Sequence, residues 1–254
     1  MAQRTAGTAG AQAADAISIG KIVRSESHVR YTCQVYGPGE VAVPPEPADY
    51  AFGSFVRLPL RASSARALDA PLAGPPSADV VAFSLPPGSR EGHADLTAIG
   101  LIYDTILVNP AFGTLGPRLS NDEQVALFSP DYLSERAILI SVLLLGTMAG
   151  GDKAPHVLHG VPALAPDLGA EVSVLPEAAV RAFHSFADAG APGGARPYLH
   201  MGYLPHAIAQ DNPLLPLAML RTIERLERLF PENAALLSIV KRNFAWRLKV
   251  QTAG

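Results

Sequence analysis

The chain has 254 residues, 48% of them apolar and 17% charged, with a formal net charge of −3 and one cysteine. That length and apolar content suit one large or two small globular domains with an ordinary core. The mild acidity argues against a generally nucleic-acid-binding surface but leaves room for a local basic patch, and the lone Cys33 excludes an internal disulfide framework.

Residues 1–16 are rich in Ala, Gly, Thr and Gln and read as a disordered tail without a secretory-type apolar stretch. From Ile17 to Leu60 the pattern is β. IGKIV is a candidate strand. HVRYTCQVY alternates with period two, Val29, Tyr31, Cys33 and Val35 falling on one face and Arg30, Thr32 and Gln34 on the other. GPGEVAVPPEPADYAFGS reads as turns and loop, and SFVRLPL as a short strand ending near Pro59. Residues 61–94 are mostly Ala, Ser, Pro and Gly and predict an exposed insertion with one candidate strand, DVVAF. LTAIGLIYDTILVN (96–109) is apolar on both faces and predicts a central strand. SNDEQVALF predicts a short helix capped by Ser120 or Asn121, and SERAILISVLLLGTM the most buried strand. Its apolar run, 137–148, falls short of the roughly 20 residues that a spanning helix needs, so no membrane span and a cytoplasmic location are expected. GAEVSVL (169–175) alternates again, Ala170, Val172 and Val174 against Glu171 and Ser173. About six short strands separated by turn signals predict a small barrel or sandwich.

After Pro176 the character changes. PEAAVRAFHSFADAG has Pro at a helix start, acid in the first turn and Gly190 past the end. APGGARP (191–197) reads as a linker. The stretch from Asn212 to Val250 predicts two helices meeting at Pro231, with apolar stripes of Leu217, Leu220, Leu226 and Phe230 on the first and Leu236, Leu237, Val240 and Phe244 on the second.

Few residues carry a chemical signature. His156 and His159 have a spacing that would suit one face of a helix, but Pro155, Gly160 and Pro162 disfavour a helix there, and zinc wants three or four ligands. They read as loop histidines. His200 and His206 are similar, and a meeting of the two remote pairs in space is the alternative. GTMAGGDK has Gly146 and Gly151 at phosphate-loop spacing, yet Asp152 stands where the lysine belongs, with Lys153 displaced by one. Cys33 on the apolar face of a strand reads as a small core residue. Asp122 and Glu123 read as helix-cap or surface charge, and neither a nucleophile elbow nor a dinucleotide fingerprint occurs. No catalytic residue, metal or cofactor is expected.

The C-terminal helices hold the notable charge. Arg221, Arg225 and Arg228 share a helix face, partly balanced by Glu224 and Glu227, and Lys241, Arg242, Arg247 and Lys249 follow without an acid between them. They form either a solvated face or a contact surface for an acidic protein or for nucleic acid. Trp246, inside that run, is either a partner anchor or core.

Several segments together resemble a known family. IGKIVRSESHVRYTCQV, then FGSFVRL, then LTAIGLIYDTIL, ILISVLLLG and HGVPALAPDLGAEVSVL are similar in order and spacing to the HAS-barrel, the small barrel at the N-termini of HerA-type DNA translocases and ATP synthase catalytic-head subunits. The likeness covers roughly residues 17–186, interrupted by 61–94. It implies a HAS-barrel-like β domain over 17–175 followed by an α-helical region over 176–254. HerA-type proteins continue from this barrel into an ATPase, and no phosphate-loop sequence occurs here, so no ATPase residues carry over. The layout also looks like stand-alone HAS-barrel proteins of cyanobacterial type, whose barrel is followed by a helical tail.

What the resemblance implies is a non-enzymatic assembly or adaptor protein, homo-oligomeric, docking a protein partner such as an ATPase, a translocase or a DNA-processing complex. A nucleic-acid-binding accessory using the basic C-terminal helices is the second expectation, and a hydrolase with dispersed site residues the third.

Overall fold

A computed structural model describes residues 17–60, 96–108, 137–150, 155–186 and 198–252. The strands are β1 (Ser18–Ser25), β2 (Arg30–Val35), β3 (Phe55–Pro59), β4 (Leu96–Val108), β5 (Ala137–Ala149), β6 (His156–His159), β7 (Glu171–Val174), β8 (Ser185–Phe186) and β9 (Tyr198–Leu199). The helices are α1 (Glu177–His184), α2 (Leu204–Ile208), α3 (Leu215–Leu229) and α4 (Ala234–Thr252), with a 3₁₀ turn at Pro231–Asn233 between the last two.

Six strands close on themselves in the order β1–β2–β5–β4–β3–β7, and β7 pairs back onto β1, every contact antiparallel. They are the six strands the alternation and apolar runs predict. Closure removes the open sheet edge, and the side chains of one face fill the interior. Tyr31, Cys33, Ile19, Ile22 and Leu58 are all buried, as is Phe55, whose ring meets His184 at 5.3 Å. The wall of the β1–β2 pair passes so close at Gly20 that a Cβ would run into the Gln34 carbonyl.

β5 is buried from Ile140 to Leu145 on both faces and paired along both edges. β4 lies along its whole length on one side. On the other side Leu139–Leu143 pair with β2 and Gly146–Ala149 with β6. β4 differs from its uniformly apolar reading. Its first half is buried, whereas Ile106, Leu107 and Val108 are exposed, because two register shifts against β5 carry that end of the ribbon away from the interior.

The helices share one continuous hydrophobic cluster with the barrel: Val180, Phe183, Tyr203, Leu215, Met219, Ile223 and Leu226 join Phe55, Val56 and Leu144. α3 comes so close to the 51–54 turn that Gly53, at φ +83°, has the Cβ of Arg221 2.9 Å from where its own would be. The predicted helix beginning at Pro176 ends at His184, well before Gly190. Ser185 turns extended, and Ser185–Phe186 leave the helix to pair with Tyr198–Leu199. Two predicted stripes also shift. The buried face of α3 is Leu215, Ala218, Met219, Thr222, Ile223, Leu226 and Leu229, leaving Leu217 exposed, and on α4 Leu237 and Phe244 face inward while Leu236 is half-exposed. The insertion 61–94 with DVVAF, the helix at 120–128, Asp152, Lys153 and the linker 191–197 lie outside the described residues. Among the described residues no helix is long and apolar enough to cross a membrane.

Candidate functional site

The stretch read as loop histidines contributes a strand: His156–His159 forms β6, an extension of the wall beside β5. His159 sits at its end, and its ring packs against Phe183 and Phe186, with centroids at 4.4 and 5.0 Å. The two histidine pairs do meet in space, through one member of each: the His159 and His200 rings stack at 5.0 Å with their planes 12° apart. His184, in the helix after the barrel, adds a third ring 6.0 Å from His159.

The proton positions on these rings follow from their partners. The Gly202 N–H donates to His159 Nδ1 at 3.0 Å, so the ring's own proton is on Nε2, which donates to the Phe183 carbonyl at 2.8 Å. His184 Nδ1–H donates to the Val180 carbonyl at 2.7 Å, and Nε2 accepts from the Tyr203 hydroxyl at 2.9 Å. Both rings are therefore neutral and fully used. Burial pushes His159 down to about 4 and His184 down to about 3, the neighbouring histidines adding to the fall. Burial also drives the Tyr203 hydroxyl far up. His206 is tied in the same way: its Nε2 donates to the Leu144 carbonyl at 3.1 Å, and burial lowers its pKa.

No nitrogen lone pair of His159 or His184 is left for a metal. Among the described residues no group of three or more His, Cys, Asp or Glu side chains could hold one. Cys33 is buried, and burial pushes its thiol up to about 12, the reverse of an activated thiolate. The histidine cluster joins β6, α1 and the 200–203 turn, and its arrangement is that of a seam. Sequence reading passed over His184 because it lies in an ordinary amphipathic helix. The signal was its place between two aromatic residues, Phe183 and Phe186.

The basic residues on the last two helices differ in their surroundings. Arg221 and Lys241 are engaged: Arg221 lies 3.3 Å from Glu224, and Lys241 lies 3.3 Å from both Glu224 and Glu227. The hydrogen bond from Lys241, followed by that from Arg221, lowers Glu224 below the usual carboxylate range. Arg225 is half-buried, and burial lowers its pKa. Arg228 and Arg242 are exposed, with no ion pair among the described residues. Trp246 is 67% exposed, so it does not belong to the core. Arg247 and Lys249 lie in the last turns of α4, and their side chains are outside the described residues.

A family model described as a domain of unknown function (DUF8166) matches residues 3–68 and 75–253. The chain belongs to the DUF8166 family. The DUF8166 match runs through the barrel and on into the helices, and the residues it skips, 69–74, fall within the Pro/Ala-rich insertion. No curated protein sequence matches this DUF8166 chain.

Proposed function

We propose that this DUF8166 protein is a non-enzymatic assembly or adaptor module on a HAS-barrel-type platform. It forms homo-oligomers and docks a protein partner, such as an ATPase or a DNA-processing complex, through its last helices. The observation that carries this reading is the fixing of a helical tail onto a closed barrel. The six-strand ring closes on itself, and the helices share its core. Trp246 and Arg242 stand out from α4 into solvent. A rigid body bearing an exposed aromatic near an exposed cation is the kind of surface that anchors a partner. The neutral, fully bonded histidines and the inert thiol support a structural role for the groups that would otherwise suggest chemistry.

Nucleic acid fits this face less well, because Glu224 and Glu227 already engage two of its cations. Light scattering on the full chain, combined with cross-linked capture in cells, tests the proposal. An oligomer with a reproducible protein partner is expected. A strict monomer that captures none would overturn it, and binding to nucleic acid that weakens steeply with salt would replace it.

A further inference from the structure

α4 carries two apolar stripes. One, with Leu237 and Phe244, faces α3 and the core. The other points away from it: Leu236 is 50% exposed, Ile239 50% and Trp246 67%, and the exposed Asn243 lies between the last two. These four positions follow the 3-4-3 spacing of a helix–helix seam, with Asn243 at a core position of the repeat. From Leu236 to Trp246 the seam is about 15 Å long at 1.5 Å per residue. Arg242 stands at a flanking position, and by count Arg247 and Lys249 take flanking positions further on. The whole of α4 contains no acidic residue.

We propose that this seam docks an acidic amphipathic helix of another protein, which lays its own apolar stripe along Leu236, Ile239 and Trp246 and sets carboxylates against the basic flank. The proposal rests on the adaptor reading above and names the chemistry of its partner. Charge chooses among the occupants. A second copy would bring basic flank against basic flank, which helix pairs avoid. A lipid surface would have to take in Asn243, whose amide has no partner in hydrocarbon. An acidic helix gains on both counts, since a polar residue opposite Asn243 fixes the register while carboxylates answer the cations.

Trp246 is the chain's one tryptophan, so its emission reports the seam directly. The probe is a synthetic helix of about three heptads with Leu at the core positions, one central Asn, and Glu at the flanks. Its control carries Lys at the flanks. With the full chain, the Glu-flanked peptide should shift Trp246 emission to the blue and saturate, binding at least about tenfold tighter than the control at low salt. Ile239→Glu should abolish the response, and Arg242→Glu should narrow or reverse the preference. Both sites are exposed, and unchanged circular dichroism would verify that the variants fold.

An equal response to both peptides would overturn the proposal. So would a response to phosphatidylserine-containing vesicles without one to the peptide, a shift that grows with protein concentration alone, or an emission already blue and unresponsive in the free chain. In cells, a partner lost on Ile239→Glu supports the seam. A partner retained by that variant overturns the seam and leaves the adaptor reading intact, whereas no partner with either chain removes both.

Discussion

His159 and His200, 5.0 Å apart and nearly parallel, stack at the seam between the barrel wall and the helical tail. Just after His200 the backbone turns so tightly that a Cβ on Gly202 would strike the His200 ring, and that turn brings the Gly202 N–H to His159. Burial, with the His200 ring adding to it, disfavours a cation on His159, so His159 is held neutral here.

Stability should therefore depend on pH well above the carboxylate range. An unfolded histidine binds its proton near 6.5, whereas His159 resists until about 4 and His184 until about 3. Above 6.5 neither state is protonated and the full stability is present. As pH falls from 6.5 toward 4 the unfolded chain gains protons that the folded chain refuses, and stability drops by up to about 1.4 kcal/mol per pH unit for each such group. Denaturant titrations between pH 7 and 5 should show this slope. His159→Gln should reduce it by about one group's share; an unchanged slope would exclude His159 as a contributor.

Tyr203→Phe removes the donor to His184 Nε2 and leaves that nitrogen buried without a partner. The expected cost is about 1–3 kcal/mol, measured by urea unfolding at pH 7.5. A neutral outcome would mean that the Tyr203 hydroxyl bond adds nothing to the seam.

Gly146→Ala should be destabilising by about 1–3 kcal/mol. The new methyl would meet the Leu158 carbonyl across the β5–β6 pair and push His159 out of register. Gly150→Ala is the control: its added methyl meets nothing within 4 Å. It should stay within about 0.5 kcal/mol of the parent, and equal thermal shifts for the two variants would contradict the close approach.

Lys241→Ala should cost little despite two carboxylates within 3.3 Å, because all three groups are partly open to water. Double-mutant cycles with Glu224→Ala should give coupling of about 0.2–1 kcal/mol, falling with added salt.

The barrel strands were legible in the sequence because their burial is periodic. Val29, Tyr31, Cys33 and Val35 are all inside, as their alternation requires. β5 declared itself through an apolar run whose burial on both faces needs no periodicity. What lay hidden depends on tertiary placement. β6 is four residues with no strand composition, held by the edge that β5 offers beyond β2. The meeting of His159 with His200 depends on the β8–β9 pairing, which brings the chain back after α1. Leu236 was assigned to the inner stripe because Leu236 and Leu237 are both apolar, and a helix turns adjacent residues to different faces.

The ring closes where β1 meets β7, joining Ser18 to Ser173. During synthesis, β1 and β2 emerge early and can form a hairpin, but one flank of β1 must wait until nearly the whole wall has left the ribosome. The apolar β4 and β5 emerge during that wait. Pairings so distant in sequence form slowly and leave strand edges open to other chains. Yield in a heterologous host should accordingly respond to translation speed and growth temperature more than to any change on the finished surface.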